Sequence, residues 1–128
     1  MDNYIQMIKN EIEDLHTFFM NWFNGKLSDE QFIRVEQALD KNFELITPRG
    51  EHFRRDEIVD LIRKAKAGDP LRKIWTEFIS CKKFGEIVVA LYYEFQDLGD
   101  KQTKRLSTAI FSIKPNLKWL HVHETWAD

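Results

Sequence analysis

The hydrophobic rhythm of this chain changes once, at Gly68-Asp69-Pro70, and nothing else in the sequence constrains the fold as much. Before that point Ile5, Ile8, Ile12, Leu15, Phe19 and Trp22 recur at steps of three and four, with Phe18 and Phe23 widening the stripe, as one face of an amphipathic helix requires. Asn24-Gly25 supplies a stop. Ser28 and Gln31 stand at capping-box spacing ahead of Phe32, Val35 and Leu39, which predicts a short second helix. Residues 42–47 alternate like a strand and run into the turn Pro48-Arg49-Gly50, and a third helix is expected over residues 55–67, with Ile58, Leu61, Ile62 and Ala65 on one side. After the breaker the period falls to two. Residues 71–81, 86–97, 102–114 and 117–126 read as long strands joined by connections short enough for an antiparallel meander. Helices first and a sheet afterwards is α+β architecture, with three N-terminal helices covering one face of a curved, mostly antiparallel sheet.

At 128 residues the chain is expected to be a single domain over residues 1–128, with a core that needs no disulfide or metal staple. The 19 basic and 21 acidic residues are spread along the chain, so no footprint for nucleic acid or for an anionic membrane is expected. A lone Cys81 excludes an intrachain disulfide and a thiolate zinc cluster. With no run resembling a signal peptide or a membrane helix, the expected location is cytoplasmic. Glycines never cluster as a phosphate loop or dinucleotide turn, and there is no nucleophile elbow. No cofactor is called for.

The last strand, Lys118-Trp119-Leu120-His121-Val122-His123-Glu124-Thr125-Trp126, has the richest chemistry. Strict alternation puts His121, His123 and Thr125 on one face and Leu120, Val122, Glu124 and Trp126 on the other. Three segments, Asn42-Phe43-Glu44-Leu45-Ile46-Thr47-Pro48-Arg49-Gly50, Tyr92-Tyr93-Glu94-Phe95-Gln96 and this Trp-rich end, together with the order of elements, resemble the nuclear transport factor 2-like superfamily. Within it the chain is most similar to small, stand-alone SnoaL-like domains. The resemblance implies a cone-shaped fold with a pocket in the cone, and it implies no particular chemistry, because the superfamily hosts isomerases, dehydratases, hydrolases, transport adaptors and oligomerisation domains. The last strand also resembles that of the calcium/calmodulin-dependent kinase II association domain. Trp119, Val122 and His123 match, whereas Thr125 and Trp126 replace a His and an Arg, and Tyr93 and Ala109 stand where that domain has partner arginines. Its three-arginine anion site is therefore not carried over.

Placing Trp126 inside the cone brings Glu124 and Val122 with it, and the same matching turns Val89, Leu91 and Tyr93 inward, with Arg105, Ser107, Ala109 and Phe111 beside them. The alternative set on the central strand, including Tyr92, Glu94 and Gln96, is more polar and is assigned outward. Arg105 and Glu124 are the charges expected to pair, since a buried carboxylate needs a partner or a proton. Tyr93 and Ser107 are candidate hydroxyl donors, and Trp22, Phe18, Phe19 and Trp75 candidate apolar walls. His121 and His123 are assigned to the outer face together with Thr108 and Glu94, as a dimer interface rather than a metal site, and His16 and His52 lie outside any ligand spacing. The expected function is the binding of a small, partly apolar molecule by a homodimer. The alternatives are an isomerase or dehydratase using Glu124 with Arg105 and Tyr93, and a homo-oligomerisation module with an empty cone.

Overall fold

A computed structural model describes residues 3–127. Helix α1 (Asn3–Phe23) buries Ile8, Ile12, Leu15 and Trp22 along its apolar stripe, and also His16, which the periodicity does not mark. A 3-10 turn (Asp29–Phe32) leads into α2 (Ile33–Ala38). Its start is held as the spacing predicts, the Gln31 side chain accepting the Ser28 N–H at 2.8 Å. Strand β1 (Leu39–Ile46) then turns back as the three-residue strand β2 (His52–Arg54), which sequence reading does not anticipate, before α3 (Arg55–Lys64). That helix ends three residues short of the expected boundary. Ala67 adopts a left-handed φ of 59°, and its N–H donates to the carbonyl of Trp22 on α1 rather than continuing the helix.

Strands β3 (Lys73–Phe84), β4 (Ile87–Asp97), β5 (Gln102–Ser112) and β6 (Lys118–Trp126) form the predicted meander. With β1 and β2 they make one six-stranded sheet in the order β2-β1-β6-β5-β4-β3. All neighbours are antiparallel except β1 and β6, which run parallel. The fold is α+β, with three helices against a curved sheet. No described helix is long and apolar enough to cross a membrane.

The inner face of the sheet is legible as rows of paired residues across β4, β5 and β6. Val88, Phe111 and Trp119 form one row, Ala90, Ala109 and Val122 the next, then Tyr92, Ser107 and Glu124, then Glu94, Arg105 and Trp126. The first three rows are buried throughout. Trp119 enters this face because the β5–β6 register shifts between Ile110 and Phe111, so two residues of β6, Leu120 and His121, span one step of β5. Strict alternation therefore fails at Leu120, which does not share the buried face with Val122 and Glu124. The Trp119 indole N–H is satisfied at 2.9 Å by Glu11, whose other oxygen takes Arg34 at 2.8 Å.

Candidate functional site

On β4 the phase is opposite to the expected one. Tyr92 and Glu94 face the helices, while Tyr93 lies on the outer face, where the Lys104 ammonium sits 4.2 Å from its ring centroid. The physical reason is that both faces of this strand are apolar enough to be buried. The outer set Val89, Leu91, Tyr93 and Phe95 is the more hydrophobic, but the inner set carries a charge that has a partner elsewhere in the chain. Hydrophobicity within the strand does not reveal that partner.

The partner is His16. Its Nε2 donates to Glu94 Oε1 at 3.1 Å, with both side chains more than nine-tenths buried. Its Nδ1 lies 2.7 Å from the carbonyl of Ile12, which can only accept. A ring facing two acceptors needs both nitrogens protonated, so His16 is an imidazolium. Burial works against that charge, but the Glu94 carboxylate and the two hydrogen bonds outweigh it and raise the His16 pKa. Burial likewise opposes ionisation of Glu94, yet His16, Arg105 and a 2.7 Å hydrogen bond from Gln96 bring its pKa down to about 2. His16 and Glu94 were respectively unassigned and placed on the outer face by sequence reading. Edge contacts to Tyr92 and Phe19, at 5.4 and 5.7 Å between centroids, complete the packing of the imidazole.

Arg105 and Glu124 come together as their pairing requires, Nη1 donating to Oε1 at 3.2 Å. The electrostatic balance at Glu124 nevertheless goes the other way from a simple ion pair. Burial, and then the fixed negative charge of Glu94, push its pKa up to about 7 against the pull of Arg105. One carboxyl of the site is thus held ionised at neutral pH, and its neighbour is poised to exchange a proton there.

These groups lie at one end of a cavity of about 230 Å³. Its remaining walls are mostly apolar, among them Leu15, Phe19, Phe43, Leu45 and Ile58. Of the aromatic walls anticipated from sequence, Phe19 lines the cavity. Trp22 does not. It is a core residue whose indole N–H donates to the carbonyl of Ile62 at 2.7 Å, tying α1 to α3, and Phe18 stacks against it. Trp75 is on the outer face, stacked on Phe95 at 5.4 Å. Ser107 is fully buried between Tyr92 and Glu124 in its row and does not reach the cavity. Trp126 is 46% exposed at the rim, with the Arg105 guanidinium 4.9 Å from its ring centroid.

His123 is exposed, and His121 Nδ1 is 4.0 Å from Glu44, which His52 also contacts at 3.0 Å. Among the described residues no group of three or more His, Cys, Asp or Glu is placed to hold a metal ion.

The architecture has close counterparts among solved structures. An NTF-2-like protein of unknown function from Pseudomonas aeruginosa superposes with a TM-score of 0.86 at 22% identity, over 94% of this chain and 98% of that one. The fold is NTF2-like. An NTF2-like protein from Cytophaga hutchinsonii aligns over 99% of this chain and 100% of its own, at a TM-score of 0.74 and 16% identity. An LEH-like epoxide hydrolase from M. tuberculosis shares the NTF2-like arrangement more loosely, at a TM-score of 0.57 and 12% identity over 90% of this chain and 80% of that one. No protein-family model matches the sequence, and no curated protein matches it.

Proposed function

We propose that the cone binds a small, largely apolar organic molecule, with Glu124 as its proton-exchanging contact and Arg105 beside it. The observation that carries this reading is the composition of the cavity: apolar walls with a few polar groups converging at one end, as small-molecule sites have. Native mass spectrometry of protein purified without added ligand tests it. The wild type is expected to carry a co-purified molecule that is released on denaturation, and Leu45→Phe, which fills part of the cavity, is expected to lose it. A folded Leu45→Phe variant that retains the molecule as the wild type does would refute the reading.

A second reading, proton-transfer catalysis of the isomerase or dehydratase type, is favoured by the pKa of Glu124 at about 7, where a carboxyl shuttles protons efficiently. The fold shared with an epoxide hydrolase is compatible with it. In this reading Arg105 stabilises developing oxyanion charge, and Tyr93, on the other face of the sheet, has no part. A carbon-detected NMR titration of Glu124 is expected to give a midpoint near 7, and a midpoint at or below 4.5 removes catalysis from consideration.

The outer face of the sheet supports assembly with a second copy of the chain. Trp75 is 41% exposed there, and Tyr93, Phe95 and Leu106 are only half-buried, leaving a contiguous apolar surface next to His121 and His123. Sedimentation of the purified chain at twice the monomer mass is the expected result.

A further inference from the structure

Where the cone opens, the rim changes character. Arg49 from the β1–β2 turn, Lys101 from the β4–β5 turn, and Lys104 and Arg105 from β5 surround a second hollow of about 490 Å³ together with Trp126 and Phe95. No Asp or Glu is among the described residues that line it. The chain as a whole carries a net charge of -2, so four cations around one opening are a local arrangement and not the reflection of a basic protein. Arg49, Lys101 and Lys104 make no ion pair among the described residues. Asp100 directly precedes Lys101 without lining the hollow, and Asp97 accepts the Gly99 N–H at 2.9 Å.

Two polar atoms of this lining, Arg105 Nε and Thr103 Oγ1, are buried with no hydrogen-bond partner among the described residues. Such atoms are uncommon in a finished interior, and two on one rim call for a partner that the chain does not supply. The rim also adjoins the cone, Gln96 and Arg105 lining both hollows. Apolar space therefore borders a rim on which Arg49 and Lys101 are uncommitted, while Lys104 lies against the Tyr93 ring and Arg105 is paired with Glu124.

We infer that the molecule held in the cone is an amphipathic organic anion, its apolar body in the cavity and its carboxylate- or phosphate-type head at the rim against Arg49 and Lys101. The inference rests on the small-molecule reading of the cone and narrows it to a chemical class. Cations that are already neutralised would gain little from an anionic head, whereas these two form new charge-assisted contacts with it. The exposed Trp126 indole, packed on Arg105, and the Phe95 ring give the segment joining head to body an apolar surface to cross.

Octanoate and octan-1-ol share a chain and differ in the head, so together they separate the rim from the cone. In calorimetric titrations of the full chain at low salt, octanoate is expected to bind about tenfold more tightly than octan-1-ol. The double variant Arg49→Gln/Lys101→Gln alters exposed turn residues only, and it is expected to erase most of that advantage while leaving octan-1-ol unchanged. Equal affinity of the two probes in the wild type, or an advantage that survives the double variant, overturns the rim assignment and leaves the cone reading standing. Octanoate binding that is indifferent to Leu45→Phe separates the anion from the cone and overturns the inference as well. Failure of both probes to bind tells against the cone reading itself.

Discussion

His16 Nε2 and Glu94 Oε1 meet at 3.1 Å across 78 positions of sequence, joining the first helix to the middle of the sheet with a buried ion pair. The pair fixes the sign of everything around it. With Glu94 ionised, Glu124 in the adjacent row is held toward its neutral form.

Removing one partner of that pair leaves a charge stranded in the core. His16→Leu is expected to destabilise the chain by about 3–5 kcal/mol in urea titrations, while His16→Leu/Glu94→Met, which removes both charges, recovers most of the loss. A double variant as unstable as the single one would show that the two residues act separately.

The raised pKa of Glu124 makes stability depend on pH in a definite direction. A carboxyl whose pKa is 4.5 unfolded and about 7 folded binds its proton more tightly in the folded state, so its stabilising contribution is complete below 4.5 and is lost as pH climbs through 7. The loss amounts to about 3–4 kcal/mol. Glu124→Gln, which cannot ionise, is expected to flatten the stability curve between those pH values and to exceed the wild type above pH 7. The lowered pKa of Glu94 acts at the opposite end, its contribution present above 4.5 and lost as pH falls toward 2. Parallel curves for wild type and Glu124→Gln would contradict the burial and charge argument.

Tyr92 and Tyr93 are adjacent in sequence and opposite in consequence. Tyr92→Ala empties a ring from the core and is expected to cost about 3–5 kcal/mol. Tyr93→Ala removes an outer-face ring, so it is expected to leave the cone and most of the stability intact and to shift the chain toward the monomer in sedimentation. A reversed ranking of the two in thermal melts would mean that β4 is turned over.

Gly25 ends α1 with a φ of +78°, and a Cβ there would stand 2.9 Å from the Cβ of Ala67, itself left-handed. Gly50, at +83°, has nothing within 4 Å of the same position. Both alanine substitutions incur the left-handed penalty of about 1–2 kcal/mol, and Gly25→Ala adds a clash, so its melting temperature is expected to fall further. Identical melting temperatures would refute the contact.

Most of the fold follows from patterns that act over a few residues. The stripe on α1, the Ser28–Gln31 cap and the four long strands are all local and all present, although β3 starts two residues later and runs three residues further than the sequence suggests. The site was only partly legible. Arg105 and Glu124 were readable because adjacent strands share a period of two, and their pairing needs nothing beyond that period. His16 and Glu94 escaped because each looks misplaced on its own, a histidine on an apolar helix stripe and a glutamate on a strand that reads inward in the other phase. A cross-chain pair of this kind leaves one signal in the sequence, a polar residue at a buried helical position, and at His16 that signal was present. Leu120 was misassigned for a different reason: a bulge adds one residue to the count, and no residue type demands it there.

The strand order has a consequence for how this molecule comes into being. β6 lies between β1 and β5, so the sixth of these six strands in chain order is the one that joins the N-terminal helix and hairpin region to the meander. Until Trp126 has emerged, β1 has no neighbour on its β6 side, and the half of the inner face that carries Val122 and Glu124 does not exist. The apolar stripe of α1 is therefore fully covered only once that sixth strand has been made and has closed the sheet. A domain arranged in this way is an all-or-nothing product, and lesions in β6 should be read as failures of assembly before they are read as failures of chemistry.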